Sequence, residues 1–205
     1  MFLPTFLILI FSCFFSKVEK TLTLSFIVKS SLKEPVVKQG RYLGKFKISF
    51  YWIGEEKYYK GKRNVPLYLE DGTLLGYFPK DFVKDFKIES CAQLRDGRII
   101  SYLKKKDRVK IVDNPLGYGF KLIPLKSAAV DTNFIKLGSM LYIPNLSGLK
   151  INENKNHNGI FYVHDIGSKI KGRKIDIFLG YKHNYYIFKN AGITPGTEVD
   201  IYLLE

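Results

Sequence analysis

Cysteine is nearly absent from this 205-residue chain, Cys13 and Cys91 being the only two. Two cysteines cannot staple a small disulfide scaffold. Histidine is almost as scarce. His157, His164 and His183 lack metal-ligand spacing, no Cys-x-x-Cys or His-Glu-x-x-His occurs, and nothing in the chain calls for a metal or a cofactor. No Gly-x-Ser-x-Gly elbow is present and Cys91 has no evident base, so acyl chemistry lacks a nucleophile and Cys91 reads as a buried structural thiol. Gly117-Tyr118-Gly119 lacks the strand-to-helix setting of a phosphate loop. Long apolar runs are limited to residues 1–15, which excludes a multi-span membrane protein. Acidic residues are outnumbered, 19 against 33 Lys and Arg, for a net charge of +14. Disorder is excluded by what is abundant, 14 Tyr and 16 Phe.

The first fifteen residues, MFLPTFLILIFSCFF, carry no charge. They match the length of a secretory core and fall short of the roughly 20 residues of a spanning helix. Residues 1–16 are therefore read as a signal peptide or lipoprotein signal. Ser12 before Cys13 resembles a loose lipobox, which would make Cys13 a lipidation site and attach the chain to a membrane. The positive segment that usually opens such signals is missing, since the first basic residue is Lys17. The expected location is the periplasm or cell envelope. A basic surplus attracts polyanions, whether nucleic acid, anionic lipid or acidic wall polymer. Export argues against nucleic acid, and Lys104–Lys106 reads as a lysine-blunted hairpin edge.

Residues 17–43 form a polar tether broken by Ser30-Ser31, Pro35 and Gly40, with a weak strand signal at 22–28. Beyond it, short alternating runs are separated by turn signals. KFKISFYWIG places Phe46, Ile48 and Phe50 on one face. Asp71-Gly72 and Asp96-Gly97 mark two hairpins, and RVKIVDN, MLYIPN, GIFYVHD, KIDIFLG and EVDIYLLE supply further strands. DFVKDF has length for one helical turn. Regular strands over such a length point to an all-β domain at 44–205, closed as a barrel.

Carboxylates are the remaining chemistry. Asp165 follows GIFYV, and Asp176 lies between Ile175 and Ile177. An acid within so apolar a run must be paired, hydrogen-bonded or functional, and partial desolvation would raise its pKa toward that of a general acid. Strand alternation offers the plainer reading, with both isoleucines inward and Asp176 outward.

Ala129-Val130-Asp131, then Ile135-x-Leu137-Gly138-x-x-Leu141-Tyr142-Ile143-Pro144, Asp165-x-Gly167, Ile170-Lys171-Gly172 and Ile175-Asp176-Ile177-Phe178-x-Gly180 appear in order. Together they resemble the 3D domain, a family named for three aspartates and found in MltA-type lytic transglycosylases and stationary-phase or resuscitation-type cell-wall proteins. The resemblance covers about 128–204, with KFKISFYWIG similar to the family's first strand. It implies a six-stranded double-psi β-barrel, here with a β-rich insertion at about 55–127. It further implies cleavage of the β-1,4 bond between N-acetylmuramic acid and N-acetylglucosamine in peptidoglycan glycan strands. On that basis Asp176 is the acid/base, Asp165 and Asp131 flank it in one cleft, and Gly167, Lys171, Gly172, Arg173 and Tyr51 contact substrate. Two departures stand out. Lys169 occupies a position where the family has a small residue. In place of the second domain that completes the transglycosylases' glycan groove there is an insertion at about 55–127, between the first barrel strand and the Asp131 segment, as a candidate for the groove walls. A non-catalytic barrel that binds glycan or envelope partners is the alternative reading.

Overall fold

The structure is a computed structural model that describes residues 40–167 and 169–204. Cys13, the signal segment and the weak strand signal at 22–28 lie outside the described residues. Six strands close a barrel: β1 (Arg41–Tyr51), β8 (Ser127–Val130), β9 (Met140–Asn152), β10 (Lys155–Asp165), β11 (Lys174–Phe178) and β12 (Glu198–Leu204). Their order around the wall is β1-β11-β8-β10-β9-β12. Two neighbouring pairs, β1 with β11 and β8 with β10, run parallel, and the other four pairs are antiparallel. Because β1 begins at Arg41, residues 41–43 belong to the barrel wall rather than to the tether.

Alternation decides which side chains fill the barrel. Phe46 and Ile48 of β1, Ala128 and Val130 of β8, Ile175 and Ile177 of β11, and Val199 and Ile201 of β12 share one buried cluster. Each of the buried Val, Ile and Phe side chains among them contributes about 1.5–3 kcal/mol of transfer free energy. The residues between them, Ser49, Ala129 and Asp176, consequently face outward.

Between β1 and β8 the chain builds a separate layer. Strands β2 (Gly54–Glu55), β5 (Cys91–Gln93), β6 (Ile99–Leu103) and β7 (Arg108–Val112) form one sheet, and β3 (Arg63–Tyr68) pairs with β4 (Leu74–Pro79). Both Asp-Gly signals close hairpins. Gly72 and Gly97 take φ of +88° and +90°, a region open to glycine at no steric cost, while Asp71 and Asp96 each accept the N–H two residues on, at 2.8 and 3.0 Å. The single turn expected at DFVKDF is instead a ten-residue helix, α1 (Lys80–Glu89). Its face of Phe82, Val83 and Phe86 fills a second core with Phe78, Ile100 and Val109, and that burial extends the helix beyond what the short motif suggested. Glu56 is buried and ion-paired with Arg63 and Arg95.

The insertion packs on the barrel through a third cluster, in which Cys91, Ile53 and Leu122 meet Phe178, with Tyr51 and Ile99 against them. Cys91 is free and buried, and burial pushes its thiol up to about 12. It is an apolar filler of the seam.

Candidate active site

Strand register builds the site. Asp165 on β10 pairs with Ala129 on β8, Ala129 pairs with Asp176 on β11, and Asp176 pairs with Ser49 on β1. Directly paired residues share a face, so Asp165, Ala129, Asp176 and Ser49 form one outward row across four strands. Neighbouring strands lie about 4.8 Å apart, which sets the two aspartate backbones roughly 10 Å apart with only a methyl group between them.

Outward does not mean solvated here. Phe178 and Tyr51, next on the same outer face, are roofed by the Cys91 seam, and Leu125 N–H donates to the Phe178 carbonyl at 2.8 Å. The insertion thus removes water from beside Asp176. Burial, opposed by the Ser49 hydrogen bond and reinforced by the charge of Asp165, raises the Asp176 pKa to about 6. Ser49 Oγ donates to Asp176 Oδ1 at 2.8 Å. Oδ2 of Asp176 accepts no hydrogen bond among the described residues.

Asp165 is more firmly held. Its Oδ1 accepts the Ile166 N–H at 2.9 Å and its Oδ2 accepts the Tyr51 hydroxyl at 3.2 Å. Burial still raises its pKa, against these donors and the Tyr118 N–H. Tyr51 was expected to contact substrate, but its hydroxyl is committed to Asp165 and its ring packs on Phe178 at 5.1 Å. Burial, then the charge and hydrogen bond of Asp165, push its hydroxyl well above the usual tyrosine range. Tyr51 orients a carboxylate.

Asp131 has a different environment. It stands just past β8, and its oxygens accept the N–H groups of Asn133 at 3.1 Å and Gly172 at 2.9 Å. Those backbone donors, Gly172 first, lower its pKa, with a smaller contribution from Lys171. Gly172 and Lys171 therefore serve Asp131. Arg173 reaches along β1 instead, its guanidinium filling the space beside Gly44. Gly167 forms the turn after Asp165, its carbonyl accepting the Ile170 N–H at 3.0 Å. Of the expected site residues, the structure couples Asp165 with Asp176 and gives Asp131 a loop-closing role.

Sequence reading missed Ser49, whose only signal is a small residue on the outer face of an apolar strand, and named Ala129 only as part of the motif that leads into Asp131. It also missed Glu89 at the end of α1. Burial, followed by the charge of Asp176, raises its pKa, and Lys169 opposes this. No local pattern marks a carboxyl brought to the site by an insertion.

Residues 126–205 match the family model of the 3D domain. Escherichia coli MltA, solved with bound chitohexaose, is similar in fold, with a TM-score of 0.53 and 14% identity over 79% of this chain and 72% of that one. A membrane-bound lytic murein transglycosylase from Agrobacterium tumefaciens gives a TM-score of 0.55 and 13% identity over 79% and 74%. No curated protein sequence matches the chain. At such identities the likeness is one of fold, and it reaches well beyond the stretch matched by the family model. Asp165 and Asp176 thus both lie in the stretch that matches the 3D-domain model, residues 126–205, and the barrel is completed by β1 from outside that stretch.

Proposed function

We propose that the protein is a lytic transglycosylase-like enzyme that cleaves the β-1,4 bond between N-acetylmuramic acid and N-acetylglucosamine in peptidoglycan. The observation that carries this reading is the unequal carboxyl pair: Asp176 with a pKa raised to about 6 and one oxygen without a hydrogen-bond partner, beside an Asp165 fixed by Tyr51 and Ile166. An acid with such a pKa keeps its proton in a useful fraction of molecules near neutrality. The fold shared with two lytic transglycosylases, one of them solved with a chitin oligosaccharide, supports the same assignment.

In this mechanism Asp176 gives its proton to the glycosidic oxygen, and the C1–O bond breaks with its electron pair going to the leaving sugar. Positive charge develops at C1 and the ring oxygen, where the Asp165 carboxylate stabilises it. The C6 hydroxyl of the muramoyl unit then attacks C1 and gives its proton to Asp176. The acid is regenerated, no water is consumed, and a 1,6-anhydro end is left. One carboxyl acting as acid and then base follows the logic of retaining glycosidases. The net charge of +14 draws the protein to acidic stem peptides and wall polymers.

The test is to incubate the protein with peptidoglycan sacculi and weigh the released muropeptides. Anhydro products, lighter than hydrolysed ones by one water, are expected. Hydrolysed ends would replace transglycosylation with hydrolysis. Binding without any cleavage would favour a non-catalytic glycan-binding barrel, a reading to which the charged Lys169 beside the site lends support.

A further inference from the structure

A short loop is docked directly on Asp165. Leu116 bridges Lys121 in antiparallel fashion, Gly117 N–H donates to the Phe120 carbonyl at 2.8 Å, and Leu122 N–H donates to the Pro115 carbonyl at 2.9 Å. Gly117 presses so closely on the His164 carbonyl and Asp165 Cβ that no side chain fits there. Tyr118 N–H donates to the His164 carbonyl at 3.1 Å and also helps hold the Asp165 carboxyl.

Side chains fix the loop at both ends. Leu122 is buried in the seam with Phe178. The Phe120 ring stacks on His164 at 5.0 Å with planes 7° apart, and His164 stacks on Tyr162 at 5.4 Å. His164 is itself held by Ser127 Oγ at 2.9 Å from Nδ1. Against this rigid base Tyr118 is 65% exposed and Phe120 is 37% exposed. The Tyr118 ring makes no aromatic or cation–π contact among the described residues, although its own backbone touches the carboxylate site.

We propose that the Pro115–Leu122 loop is a sugar-stacking subsite, in which Tyr118 takes the C–H face of the pyranose lying beside Asp165. The proposal rests on the glycan-cleaving reading above and names how the substrate is gripped. A β-linked N-acetylhexosamine presents a flat apolar face of axial C–H groups, and an aromatic ring is the side chain that buries it at little conformational cost. A ring on a loop already fixed by hydrogen bonds and stacking loses little freedom on binding. Its place next to Asp165 sets the stacked sugar in line with the bond that Asp176 protonates. Tyr186 is also highly exposed, at 61%, but lies on the helix Tyr185–Lys189 against β9, in a different groove, and serves as the control.

Binding of chitohexaose is measured by calorimetry on the full chain carrying Asp176→Asn, which prevents turnover. Tyr118→Ala is expected to weaken binding about tenfold, the scale of a lost aromatic stack. Tyr118→Phe keeps the ring and the affinity, and Tyr186→Ala changes nothing. In the uninhibited enzyme, Tyr118→Ala raises KM while the pH profile set by Asp176 stays in place. The ring signals of Tyr118 should also move on titration of the Asp176→Asn protein, a readout that needs no change at position 118. If the parent binds chitohexaose and folded Tyr118→Ala binds it equally well, the stacking subsite is wrong and the catalytic reading survives. If the parent binds neither chitohexaose nor sacculi, both readings fall together.

Discussion

Asp131, just past the end of β8, and Asp176, on the neighbouring strand β11, each follow a fully buried aliphatic, yet their environments push them in opposite directions. At the end of β8, two backbone N–H groups aim at Asp131 and hold it as a carboxylate. One strand away, Asp176 has a single hydroxyl donor, a roof of apolar side chains and a second acid in the same row. The same side chain is held ionised as a loop clasp in the first place and pushed toward its protonated form in the second. Donor count and access to water decide which.

The largest expected effect separates the two most sharply. Asp176→Asn keeps the shape and removes the proton, so cleavage of sacculi should fall by about 10²–10⁴-fold. Its stability should move the other way. A carboxyl whose folded pKa lies at about 6, above its unfolded value, loses stability as pH rises through that range. The neutral Asn variant should therefore melt no lower than wild type at pH 7, with a gain of up to about 2 kcal/mol. A variant that folds and still cleaves normally would refute the assignment of the acid.

Asp165→Asn comes next, with an expected rate loss of about 10–100-fold from weakened charge stabilisation. Removing the Asp165 charge also lowers the Asp176 pKa, so the alkaline limb of the kcat/KM profile, expected near pH 6 in wild type from the raised Asp176 pKa, should shift to lower pH. An unshifted limb would mean that the two acids are not coupled.

Ser49→Ala tests the opposite sign. The Ser49 hydroxyl favours ionised Asp176, and its loss should move the same limb upward by roughly one pH unit or less, with little change in maximal rate. Movement in the same direction as Asp165→Asn would break the account of how the site is tuned.

The smallest effect on chemistry is expected at Asp131. Asp131→Asn keeps an acceptor for Gly172 or Asn133, so cleavage should stay within a few-fold of wild type. A loss as large as that of Asp176→Asn would place Asp131 in the reaction itself and erase the contrast between the two aspartates.

Much of this architecture is local and could be read directly. Alternation in KFKISFYWIG and KIDIFLG places Ile48, Ile175 and Ile177 in the core and Asp176 outside, because side chains on a strand point to opposite faces in turn. Both Asp-Gly turns and the ordered aspartate motifs are likewise written in short segments. The helix α1 was underestimated because its length depends on burying Phe82 and Phe86 against strands far along the chain.

Local patterning along the chain suffices to locate the barrel strands, their buried faces and the candidate acids. Which acids come to face one another depends on the assembled barrel. Register set Asp165 and Asp176 on either side of Ala129, and Gly172, 41 residues away, turned Asp131 into a clasp. The insertion dried the outer face that alternation alone would have left in water. Pairing and desolvation arise between segments distant in the chain, and a pKa depends on both.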